Sequence, residues 1–168
     1  CILATGSHPI RLSFLPEDER IFDSTGALEL KHTEGRLLVI GGGIIGLEMA
    51  TVYRALGMDV DVVEMQDRIM PGTDQDLVKP CQKTLEERGV TFLLNTQVTA
   101  VKPSIKALTV HFKDALGHEH QSEYQAILQS IGRLPNSAHL DLEKAGIVCD
   151  AKGYIEADPH TLRSSNPC

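Results

Sequence analysis

Leu37-Leu38-Val39-Ile40-Gly41-Gly42-Gly43-Ile44-Ile45-Gly46-Leu47-Glu48 reads as an apolar strand that breaks into G-x-G-x-x-G and opens a helix. A second apolar run, Val60-Asp61-Val62-Val63, ends in Glu64, about 20 residues beyond the last glycine. This is the pattern of a dinucleotide-binding βαβ unit, and each part has a physical reason. Gly41 permits the tight turn, Gly43 lets the backbone approach a pyrophosphate, and Gly46 lets helix and strand pack closely. The pyrophosphate meets unpaired N–H groups and the positive end of the helix dipole. The bland alternative is a glycine-rich strand-to-helix turn that binds nothing.

Working outward, the chain reads as an α/β protein: a Rossmann-like βαβ domain on a parallel sheet with an antiparallel β excursion. Strands are expected at 1–7, 36–40, 59–64 and 90–94. A short helix through Leu30 begins at a cap on Asp23 or Ser24. Longer helices are expected at 44–56 and 74–88, each closed by a glycine, Gly57 and Gly89. Pro80 should kink or divide the second of these. Segments near 98–101, 107–112 and 119–124 alternate as antiparallel strands, with Asp114-Ala115-Leu116-Gly117 as a turn. Ala126-Ile127-Leu128 returns to the parallel sheet, and a helix near 140–145 and a β segment at 147–157 follow.

A chain of 168 residues can bury an ordinary single-domain core. Its net charge of −7 argues against a general binder of nucleic acid or anionic membranes. No apolar run approaches membrane-spanning length. Cys1, Cys81, Cys149 and Cys168 form neither a C-x-x-C nor a zinc-ligand pattern, so a reducing cytoplasm is the expected compartment. His118 and His120 would share a strand face but lack a third ligand, and no metal site is expected. The chain opens on Cys1-Ile2-Leu3-Ala4 and closes on Asn166-Pro167-Cys168, which reads as a stretch of a longer protein. The two terminal cysteines are read as chance.

Glu64 is the expected cofactor selector. A carboxylate there accepts hydrogen bonds from ribose hydroxyls and repels a 2′-phosphate, favouring NAD over NADP. Arg68 is the nearest basic residue downstream, so no arginine cluster waits for that phosphate.

The ordered set Ala4-Thr5-Gly6-Ser7, Gly43 to Glu48, Val63-Glu64-Met65, Arg68 to Gly72 and Ile131-Gly132-Arg133-Leu134-Pro135-Asn136 resembles the pyridine nucleotide–disulfide oxidoreductases, specifically the bacterial dihydrolipoamide dehydrogenases. The resemblance implies that 31–146 is an NAD-binding domain inserted into a FAD-binding domain. Residues 1–30 and 147–168 would be that domain's outgoing and returning edges. It implies reoxidation of dihydrolipoamide through a cysteine pair and FAD, with hydride transfer to NAD⁺. Components of a 2-oxo acid dehydrogenase complex would be partners, the parent protein a homodimer and this stretch alone a monomer. By the same resemblance the redox cysteines and a His–Glu pair lie outside these residues, so no catalytic residue is expected among them.

Residue by residue, the resemblance assigns Gly41, Gly43, Ile45 and Gly46 to NAD, with Glu48 facing the nicotinamide. It sets the backbone of Val98 near the adenine, Gly132 at the nicotinamide side, and Arg133, Thr5 and Gly6 toward FAD. Plainer readings stand beside these. Glu48 suits the first helical turn through the dipole alone. Val98 suits a core, and Gly132 to Asn136 an ordinary turn. Gln129 and Ser130 depart from the family's apolar strand, and a buried glutamine must find partners or cost about 1–3 kcal/mol. Two other readings remain open: another flavin enzyme of this superfamily, such as a soluble transhydrogenase or mercuric reductase, or a non-catalytic NAD-binding module.

Overall fold

The computed structural model describes residues 1–166, so Cys168 lies outside the described residues. In chain order the elements are β1 (Ser7–Pro9), β2 (Ile21–Phe22), α1 (Ser24–Ala27), β3 (Arg36–Ile40), α2 (Ile44–Ala55) and β4 (Asp59–Val63). Then follow α3 (Gln75–Glu87), β5 (Val90–Leu93), β6 (Thr96–Pro103), β7 (Leu108–Asp114), β8 (Glu119–Tyr124), β9 (Ala126–Gln129) and β10 (Arg133–Pro135). A single 3₁₀ turn, Leu142–Ala145, comes last.

Two compact units divide the chain: Arg11–Ile131, and Cys1–Ile10 with the residues from Gly132 onward. The larger unit holds a parallel sheet in the order β2-β9-β3-β4-β5 and an antiparallel sheet in the order β6-β7-β8. The expectation of a mixed α/β fold with a parallel sheet and an antiparallel excursion is met.

Side-chain alternation along β3 separates two cores. Leu37 and Val39 join Val60 and Val62 of β4 against Leu47, Ala50 and Tyr53 of α2 and Val78 and Leu85 of α3. Leu38 and Ile40 face the other way, with Val63, toward Val98, Val101, Leu108, Val110, Phe112 and Tyr124 of the antiparallel sheet. The strands of the parallel sheet are covered on both faces, which is why they read as continuous apolar runs. Asp61 is a polar exception with partners: its Oδ2 accepts from Arg36 at 2.8 Å and from the Tyr124 hydroxyl at 2.7 Å. The Arg36 guanidinium also lies over the Tyr124 ring, 4.9 Å from its centroid.

Several expectations need correction. Residues 1–6 form no strand, and β1 starts at Ser7, paired antiparallel with β10. The expected β segment at 147–157 reduces to isolated bridges, Cys149 with Ile155 and Ala157 with Ser164. There the Asp150 carboxylate accepts from the backbone N–H groups of Lys152 and Tyr154 and curls the chain into a local turn. Pro80 does not divide α3, which runs unbroken from Gln75 to Glu87. Pro80 is exposed, so the carbonyl it leaves without a helical donor has water available. The first helix ends at Ala27 rather than Leu30, capped by Asp23, whose carboxylate accepts from the N–H groups of Thr25 and Gly26.

Candidate dinucleotide site

The site begins where β3 ends. Gly41 donates its N–H to the Val63 carbonyl at 2.9 Å and adopts φ +106°, a conformation that favours glycine. A Cβ on Gly41 would stand 2.6 Å from the Ser130 carbonyl oxygen, so shape and conformation both require glycine. At Gly46 a Cβ would fall 2.3 Å from the Gly41 carbonyl oxygen, which seats the start of α2 directly on the turn. Gly43 is different, because a Cβ there would meet nothing within 4 Å. Gly43 is the N-cap of α2, and no side chain caps that helix. The first-turn N–H groups therefore have no side-chain acceptor, and the space over Gly43 is open.

Glu64 lies beside this turn. Its Oε2 accepts from the Gly42 N–H at 2.8 Å, and its Oε1 accepts from the Gln66 N–H at 2.9 Å. Two backbone donors thus hold the carboxylate in place, and each oxygen retains a lone pair for a further donor. The Ile69 side chain closes the site from below, since a Cβ on Gly42 would come within 3.1 Å of it. Met70, at φ +44°, returns its N–H to the Gly42 carbonyl at 2.9 Å. Ile45 and Glu48 lie in the first turns of α2, exposed like Ile44.

Gly41, Gly43, Gly46 and Glu64 are thus brought together, with Ile45 and Glu48 on the adjoining helix. Val98 is buried in the second core, next to the register shift between Val98 and Ala100. Gly132, Arg133, Thr5 and Gly6 belong to the smaller unit. Within it, Arg133 donates from Nε to the Ser7 hydroxyl at 2.7 Å and from a terminal nitrogen to the Ser7 carbonyl at 2.6 Å. Asn136 donates its N–H to the Gly6 carbonyl and its Nδ2 to the Thr5 carbonyl, both at 3.0 Å. Gly132 has φ +125° and accepts at its carbonyl from the Ile10 N–H.

Two residues gain roles that motif reading missed. Gln129 is 4 % exposed, and its Oε1 accepts from the Leu12 N–H at 2.7 Å, which ties the segment before β2 to the sheet. Ser130 places its hydroxyl 3.1 Å from the Ile40 carbonyl and 3.3 Å from the Gly41 carbonyl. The signal for both was a polar pair ending an apolar strand. Gly42, the unremarked position inside the glycine motif, supplies the donor that holds Glu64. Among the described residues no group of three His, Cys, Asp or Glu side chains is placed to hold a metal ion. Nor is any helix among them long and apolar enough to cross a membrane.

Comparison with known proteins agrees with this geometry. The family described as pyridine nucleotide-disulphide oxidoreductase matches residues 1–167. The dihydrolipoyl dehydrogenase of Vibrio cholerae is 48% identical over 99% of this chain and 35% of its own length. That of Haemophilus influenzae is 45% identical over 99% of this chain and 34% of its own. The chain therefore spans about a third of the length of these curated relatives. Among solved structures, the HOCl-induced flavoprotein disulfide reductase RclA from Escherichia coli superposes with a TM-score of 0.83 at 28% identity. That match covers 98% of this chain and 36% of the other. An engineered water-forming NADPH oxidase bound to NADPH superposes with a TM-score of 0.77 at 27% identity, over 96% of this chain and 36% of the other. With its glycine turn, parallel sheet and full-length family match, this chain belongs to the pyridine nucleotide-disulphide oxidoreductases.

Proposed function

We propose that this chain holds NAD(H) in a flavin-dependent dihydrolipoyl dehydrogenase, with 31–146 as the NAD-binding domain. Residues 1–30 and 147–168 are the two edges of the FAD-binding domain that it interrupts. The observation that carries this reading is the pairing of an uncapped, open helix start at Gly43 with a carboxylate, Glu64, already held beside it by the Gly42 N–H at 2.8 Å. The names of the 45–48% identical relatives support the choice of reaction.

The residues fit the nicotinamide dinucleotide. N–H groups at the start of α2 receive the pyrophosphate, and the oxygens of Glu64 accept from the adenosine ribose hydroxyls. By the family resemblance Ile45 and Glu48 border the nicotinamide end and Val98 offers backbone near the adenine, while Gly132 is assigned a nicotinamide contact. Arg133, Thr5 and Gly6 are assigned to the flavin side. Bound NAD⁺ supplies the hydride acceptor, while the chain supplies binding, orientation and charge. The parent protein is a cytoplasmic homodimer serving a 2-oxo acid dehydrogenase complex, and this stretch alone is a monomer.

Calorimetric titration of the purified chain and Glu64→Ala with NADH and NADPH tests the reading. Preference for NADH in the parent sequence, reduced in the variant, supports it. Equal binding of the two nucleotides by the parent sequence, or no binding at all, contradicts it.

A further inference from the structure

Ser130 and Glu64 grip opposite ends of one peptide unit. A trans peptide is planar, with its C=O and N–H pointing in opposite directions. The unit joining Gly41 to Gly42 carries its carbonyl toward the Ser130 hydroxyl, 3.3 Å away, and its N–H toward Glu64 Oε2, 2.8 Å away. Rotating the carbonyl away from Ser130 therefore swings the N–H away from Glu64. That plane turns about ψ of Gly41 and φ of Gly42, and glycine at both positions leaves the groups at its two ends to fix it.

The hydroxyl is well placed to do so. Its one proton is shared with the Ile40 carbonyl at 3.1 Å, an oxygen that already accepts from the Ser130 N–H at 2.8 Å. Ser130 is thus fixed to the end of β3 by its backbone before its side chain touches the turn. On its other side, a Cβ on Gly46 would stand 2.6 Å from Ser130 Oγ, so the start of α2 confines the hydroxyl further.

We infer that Ser130 is a positioning residue for cofactor selection: through the Gly41–Gly42 peptide it orients the donor that aims Glu64 at the ribose. The inference rests on the proposed NAD(H) reading and extends it to a residue that touches no nucleotide. A carboxylate that loses its aim discriminates less between a ribose 2′-hydroxyl and a 2′-phosphate. Affinity for the pyrophosphate, which the N–H groups of α2 supply, is retained.

The test is a double-mutant cycle on the full chain: the parent sequence, Ser130→Ala, Glu64→Ala and the double variant, each titrated with NADH and NADPH. Ser130→Ala should lower the NADH-over-NADPH preference about 2–5-fold, the loss of one shared hydrogen bond. The same change made in Glu64→Ala should leave the preference unaltered, and Ser130→Thr, which keeps the hydroxyl, should retain more preference than Ser130→Ala. An unchanged preference in Ser130→Ala overturns the inference. So does an equal weakening of both nucleotides, which would mark a general support of the turn, and so does a full effect in the Glu64→Ala background. If the parent sequence itself shows no preference, the reading of Glu64 fails, and that result is distinct from any of these.

Discussion

The fold requires glycine at Gly41 but leaves room at Gly43, so their substitutions should differ in kind. Gly41→Ala forces an L residue into φ +106° and against the Ser130 carbonyl. Conformation alone should cost about 1–3 kcal/mol, read as a lower urea midpoint. Gly43→Ala places its methyl in open space and should cost only about 0.5–1 kcal/mol, through alanine's poorer fit at an N-cap. The same methyl stands where the pyrophosphate is proposed to lie, so NADH affinity should fall by more than the small shift in urea midpoint explains. A large stability loss in Gly43→Ala would show that the turn is packed more closely than the structure has it. At Tyr124, burial and then the hydrogen bond to Asp61 push the phenol well above its ordinary range, so it remains a neutral donor. Tyr124→Phe leaves Asp61 with the Arg36 pair but one donor fewer, and should cost about 1–2 kcal/mol in urea denaturation.

At the scale of elements, the antiparallel sheet is held to the parallel one by large apolar side chains, and Phe112 is fully buried among them. Phe112→Ala should cost about 3–5 kcal/mol, seen by thermal or urea unfolding. The segment leading into β2 packs Leu12 and Leu15 against the same core and is tied down by polar contacts as well. Asp18 takes both its oxygens to the Arg20 guanidinium, at 2.8 and 2.7 Å, and Arg20 reaches on to the Ser104 carbonyl at 3.0 Å, past the end of β6. The Arg20 hydrogen bond holds the Asp18 carboxyl below the usual carboxylate value. A folded pKa below the unfolded one gives stability that is present above the unfolded value and is lost as pH falls through the folded one. Unfolding free energy should therefore decline below about pH 4. Asp18→Asn should flatten that decline, and an unchanged acid slope in this variant would show that the pair contributes nothing.

For the whole molecule, legibility tracked the length and covering of each element. β3, α2 and β4 were readable because a strand covered on both faces is apolar throughout and a glycine turn marks its end. The three antiparallel strands were readable from alternation. What escaped was set by partners distant in sequence. β2 and β10 are two and three residues long and exist only through pairing with β9 and β1. The stretch 147–157 has the composition of a strand, but Asp150 turns it back on itself. At the site, the glycines and Glu64 were legible because each has a fixed motif position. Ser130, Gly42 and Gln66 were not, because their parts lie in which backbone group faces which side chain, and spacing carries no record of that.

In the proposed site the Gly41–Gly46 turn and Glu64 together receive NAD(H). Amide chemical shifts of the ¹⁵N-labelled chain, followed as NADH is added, test it most directly. The largest changes should fall on Gly42 to Leu47 and on Glu64 to Gln66, and they should saturate. Saturating changes confined to β6–β8 or to the residues after Gly132, with the glycine turn unmoved, would contradict it.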